Sequence, residues 1–148
     1  MNTTAKPKEA IQLKYSGGRV VVETDDEDRF VMSAIKAVEA CVSAHRQDEA
    51  IRVFKTTFLG PLHAWCISQA SRVQACYVIP VDKHIDVFVV GLEERYDFDL
   101  GREISNLESQ FYDSGWRVSV QQVPHGEAEE RETFYNSGEV LEVYAVGQ

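Results

Sequence analysis

Apolar positions along the chain change period several times, and each period predicts an element. IQLKY and RVVVET flank Ser16-Gly17-Gly18 and read as strand, turn, strand. TDDEDRF then opens a helix: Thr24 or Asp25 can cap it, and its first-turn carboxylates suit the positive end of the helix dipole. Val31, Ile35, Val38, Val42 and His45 recur at steps of four, three, four and three, widened by Ala34 and Cys41. This stripe predicts a helix from about Glu27 to His45. Asp48 can cap a second helix that buries Ile51, Phe54, Phe58, Leu62 and Trp65. Gly60-Pro61 interrupts it, because proline lacks the N–H and clashes with the preceding turn. The helix either kinks there or gives way to a separate one that starts at Pro61 and runs to about Ser71. A strand over 51–58 is the alternative to helix in this region.

The period shortens to two after Arg72. Val73, Ala75, Tyr77 and Ile79 share one face of RVQACYVI, and IDVFVVGL follows after a short connection, which predicts an antiparallel hairpin. Val87–Val90 is apolar on both faces, as in a central strand. Asp97 or Asp99 caps the next helix, whose stripe is Leu100, Ile104, Leu107 and Phe111, and Gly115 supplies a left-handed stop. Trp116, Val118 and Val120 alternate with polar residues up to Pro124, a half-buried strand. HGEAEERE, residues 125–132, reads as a loop or short exposed helix. TFYNSGEVLEVYAV returns to strand, turn, strand around Asn136-Ser137-Gly138. These elements predict an α+β fold: a mostly antiparallel sheet of about four to five strands with three to four helices on one face. If the strands flanking the 98–114 helix are parallel, that helix makes a right-handed crossover.

Bulk composition narrows the function classes. The 148 residues suit a single domain over 1–148, with a flexible arm at about 1–10. A net charge of −9, with scattered lysines and arginines, repels phosphate backbones and anionic bilayers, so neither nucleic acid nor membrane is expected as a partner. No apolar run reaches the length of a membrane span. Cys41, Cys66 and Cys76 form no CxxC and leave an odd count, which fits reduced thiols in a cytoplasm.

The strongest chemical pattern is DKHID. Asp82, His84 and Asp86 stand at every second position, and on an unbroken strand they share a face and form a candidate divalent-metal site. Such a site would serve a small metal-dependent hydrolase or transferase. A turn at Asp82-Lys83 breaks the alternation, and that reading is preferred, since both are ordinary turn residues. Paired-metal nucleotidyl transfer would need a second carboxylate on the strand, and Val87 and Phe88 follow Asp86 instead. Cys41 with His45 and His63 with Cys66 have the ligand count of a zinc site. A straight helical hairpin places the two pairs on the order of 15 Å out of step. No GxSxG, phosphate loop or dinucleotide fingerprint occurs. No cofactor is expected. An aromatic-lined ligand pocket near Trp65, Tyr77, Phe88 or Trp116 competes with a core role for the same rings.

Two readings of function remain beside the metal-enzyme one. The chain is a small-ligand module, or, preferred, a non-catalytic interaction or adaptor domain. The apolar segment Val140, Leu141, Val143, Tyr144 and Val146 carries the latter. It either closes its own sheet or pairs with a protein partner or a second copy by strand exchange.

Overall fold

The computed structural model describes residues 10–17, 19–42, 47–125 and 140–146. Turn chemistry sets the first pair of strands. Gly17 adopts φ 57°, and β1 (Ile11–Ser16) folds back on β2 (Arg19–Val22). A 3-10 turn, Thr24–Asp26, leads into α1 (Glu27–Val38). Neither expected cap is used. Instead the Asp26 carboxylate accepts the Gln12 backbone N–H at 3.2 Å and the Arg29 guanidinium at 3.1 Å, tying the helix start to β1.

α1 stops well short of His45. Ala40, Cys41 and Val42 turn instead toward the Gly115–Arg117 segment: Val42 N–H donates to Gly115 O, Arg117 N–H donates to Ala40 O, and Cys41 bridges Trp116. Its buried face is Phe30, Ala34, Ala37 and Val38, with Val31 and Ile35 on the flank and Val42 exposed.

The second helix, α2, is continuous. It comprises a 3-10 turn (Gln47–Glu49), α-turns (Ala50–Phe54), a π-turn (Lys55–Leu59) and α-turns again (Gly60–Ser68). The alternatives of a strand at 51–58, or of a new helix at Pro61, are both overturned. Among its buried residues, Ala50, Phe54, Phe58, Leu62 and Cys66 form a row at four-residue steps, with Val53 and Leu59 buried beside it. In a pure α-helix each such step drifts by about 40°, so the stripe would swing far off the core over the helix. One wide turn resets it. Widening also accommodates Pro61, because Gly60 N–H donates to Lys55 O, five residues back. Thr56 and Thr57 hydroxyls donate to Arg52 O and Val53 O at 2.8 and 2.6 Å, satisfying carbonyls beside the widened turn.

β3 (Val73–Val81) and β4 (His84–Gly91) form the expected hairpin, with Val81 paired to His84 across Asp82-Lys83. Asp97 Oδ1 caps α3 (Phe98–Asp113) by accepting from Asp99 N–H and Leu100 N–H at 3.0 and 3.1 Å. Gly115, at φ 92°, turns the chain toward β5 (Val118–Val123), and β6 (Leu141–Ala145) closes the order. The acidic segment at 126–132 and the Asn136-Ser137-Gly138 turn lie outside the described residues, as do arm residues 1–9.

Among the described residues the fold is α+β, with three helices on one mixed sheet of six strands ordered β2-β1-β6-β3-β4-β5. This corrects the expected four to five mostly antiparallel strands: β1 with β6 and β4 with β5 are parallel pairs. α3 is the crossover of the second pair. The main core lies between sheet and helices. Cys76, Val78, Ile85, Val87, Val89, Val118, Val120, Leu141 and Val143 meet Phe30, Phe54, Phe58, Leu107 and Phe111. Phe58 stacks on Phe111 at 4.5 Å and lies 5.2 Å from Trp116. A smaller cluster, Ala75, Tyr77, Val90, Val123 and Val140 with Ile79 and Phe88, occupies the opposite face.

Candidate functional site

The two-residue connection puts Asp82 and Lys83 on the turn, both exposed, with Lys83 at φ 61°. His84 and Asp86 enter β4 on one face, and His84 Nε2 lies 3.0 Å from Asp86 Oδ1. Two of the three DKHID residues therefore meet. No group of three His, Cys, Asp or Glu side chains able to hold a metal occurs among the described residues. Ser119 stands opposite Asp86 in the parallel register of β4 and β5. A shallow apolar hollow of about 410 Å³ adjoins, lined by Val42, His84, Tyr112, Trp116 and Ser119 among others.

Three of the four residues of the zinc set are described. Cys41 bridges Trp116, His45 lies outside the described residues, and on α2 His63 is half-buried while Cys66 is fully buried. His63 stacks on Tyr15 at 3.7 Å with its ring edge toward Tyr144 at 6.2 Å. Burial lowers its pKa, which favours the neutral imidazole. Cys66 and Cys76 lie fully buried beneath. A hydrogen bond to Cys66, then burial, holds the Cys76 thiol well above its usual range. Burial first, and then the Cys76 and Cys66 thiols, push the Tyr15 hydroxyl up as well. Groups so disposed stay protonated and are poor nucleophiles. The four aromatics expected to frame a ligand pocket divide between the two faces of the sheet. Trp65 and Trp116 join the main core, and Tyr77 and Phe88 the opposite cluster.

The terminal strand is interior. β6 pairs antiparallel with β3 and parallel with β1, and Val140, Leu141 and Val143 are buried, Tyr144 is half-buried and Val146 is exposed. Its pairing partners within the described residues are strands of the same chain.

A third place carries no motif in the sequence. At the C-terminal end of β4, the Leu92–Asp97 loop and the first turn of α3 face the Ser71-Arg72 turn across an open cleft of about 530 Å³. Arg72, Arg95, Glu93, Asp99, Tyr96 and Phe98 line it. Gln122 fixes the loop: its Oε1 accepts Asp97 N–H at 2.7 Å, and its Nε2 donates to Asp97 O at 2.9 Å. Tyr96 folds back over Gly101, where any Cβ would collide with its hydroxyl. Phe98 meets Tyr96 edge to face at 5.0 Å and stays 78% exposed. The available signal was Phe98 itself, an aromatic off the 100/104/107/111 stripe on a helix already capped by Asp97.

No family model, curated protein or solved structure matches the chain. Among the described residues, no helix is long and apolar enough to cross a membrane.

Proposed function

We propose that this protein is a non-catalytic protein-interaction domain that recognises its partner through the cleft at the start of α3. One observation carries the reading: Phe98 stands in water on a rigid helix turn, braced by Tyr96 and flanked by Arg72 and Arg95. Phe98 is neither the cap nor part of the buried face of its helix: Asp97 supplies the cap, and Leu100, Ile104, Leu107 and Phe111 supply the face. Aromatic and arginine side chains on a fixed frame are the groups that dominate binding energy at protein interfaces. Mixed charge at the rim, with Glu93 and Asp99 beside the two arginines, suits a polar peptide or protein surface rather than a polyanion. The reducing, cytoplasmic setting in this reading rests on the odd count of three cysteines without a CxxC.

The test is selection of decapeptides from a displayed random library on the immobilised full chain, followed by calorimetric titration. Phe98→Ser is expected to weaken the selected peptides about tenfold or more, without moving the thermal midpoint. Equal affinity for parent and variant would remove the cleft from the reading.

A further inference from the structure

Beyond that cleft, the sheet itself contains an opening. β1 and β6 pair over only two positions, Ile11 with Leu141 and Gln12 with Glu142, and their ladder ends there. A notch of about 220 Å³ lies between them, lined by Leu13, Tyr15, His63, Val143, Tyr144 and Ala145, with Glu142 at its closed end.

Ladder alternation shows what the walls present. Val146 N–H donates to Gln74 O, so the neighbouring pair Ala75–Ala145 is a non-hydrogen-bonded one. The N–H and C=O of Ala145 therefore point away from β3, into the notch. On the other side Glu23 N–H donates to Gln12 O. Counting along the register makes Tyr15–Val20 a non-hydrogen-bonded pair, and the Tyr15 main chain also faces the notch. The β1–β6 ladder ends at Gln12 and Glu142, so neither Ala145 nor Tyr15 belongs to it. Two strands running in the same direction thus leave facing rows of donors and acceptors with a gap between them. Beneath the gap sit the His63 and Tyr144 rings.

We infer that this notch is a strand-addition site that takes a short extended peptide segment of a partner, running antiparallel to both walls. Because β1 and β6 are parallel to each other, one inserted strand is antiparallel to both, the stronger of the two pairings. The walls are main chain, and the volume lies below the roughly 300–1,000 Å³ of small-molecule sites. Both features favour a backbone over a compact ligand. Full insertion needs the walls to stand about 9.6 Å apart, two strand spacings, so the segment engages at the end where the two strands are not paired. The chain's net charge of −9 selects a neutral or basic segment over an acidic one.

The experiment uses the full chain carrying Phe98→Ser, which takes the α3 cleft out of play. Decapeptides are selected on it from a displayed random library, and the best binder is then resynthesised with single backbone N-methyl groups. Strand addition predicts about tenfold or greater loss at alternate residues and little effect between them. Ala145→Pro, added to the same chain, removes the N–H that faces the notch while sparing the β3 ladder. It is expected to weaken the peptide about tenfold with the thermal midpoint held. Methylation effects without alternation, or undiminished binding to a folded Ala145→Pro chain, overturn the inference. So does failure to select any peptide, and the cleft reading is then still judged by its own selection on the parent chain. If Ala145→Pro does not fold, the methylation pattern alone decides.

Discussion

Lys83 is the one described non-glycine residue with a positive φ, at 61°. An L-residue there carries a steric cost of roughly 1–2 kcal/mol, which glycine escapes. Lys83→Gly is expected to raise unfolding stability by about 0.5–1 kcal/mol after the entropy glycine loses on folding, seen as a higher urea midpoint at unchanged slope. The same residue explains why DKHID was only half legible. The spacing of Asp82, His84 and Asp86 is visible in sequence, but the left-handed turn that throws Asp82 out of line is a tertiary choice. Sequence neighbours are equally silent about His63, whose stack on Tyr15 joins residues far apart in the chain. Burial lowers the His63 pKa, so the unfolded chain takes up its proton first as pH falls. The imidazole therefore favours the folded state above pH ~6.5, and that contribution is lost as pH drops from there through the lower folded-state value. His63→Phe keeps the stacked ring and removes the titration. It is expected to flatten the slope of stability against pH below about 6.5, measured by urea unfolding across that range.

At the level of elements, helix and strand periods were legible because burial enforces them: the α3 stripe Leu100, Ile104, Leu107 and Phe111 is the buried face as read. The end of α1 was not. Val42 and His45 continue the spacing, but hydrogen bonds from Val42 and Arg117 to partners across the gap capture the chain after Ala40. In α2 the period itself held the answer, since steps of four from Ala50 to Cys66 fit no regular α-helix. If the π-turn answers both this stripe and Pro61, the two causes separate by mutation. Deleting exposed Thr56 converts the stripe to steps of four, three, four and four, a regular amphipathic pattern. It also returns the Pro61 ring to an ordinary helical turn, at a cost of about 3 kcal/mol. Pro61→Ala added to the deletion is expected to recover most of that loss, so a double-mutant cycle by urea unfolding reads a coupling of about 2–3 kcal/mol. Additive effects would detach the π-turn from the proline.

For the whole molecule, the strand order was the least legible property. Nothing local in LEVYA marks it as the strand that joins two halves of the sheet, because its partners are set by register with Ile11 at one end of the chain and Val78 in the middle. That position makes a demanding prediction. β6 alone connects the β1–β2 hairpin to β3, so removing residues 140–148 takes out an interior strand rather than an edge. Val140, Leu141 and Val143 are buried, and at about 1.5–3 kcal/mol each their loss is comparable with the roughly 5–15 kcal/mol that holds a domain folded. The ladder bonds to both neighbours go with them, leaving the main-chain groups of Ile11 and Val78 without partners in the sheet. The truncated chain is therefore expected to lose its near-ultraviolet circular dichroism and its cooperative thermal transition. A truncated chain that kept both, and remained monomeric by mass in solution, would mean that the sheet closes without its last strand. Adding residues 140–148 back as a separate peptide is expected to restore the transition, since the gap they leave is bounded by two strands that already run in the right directions.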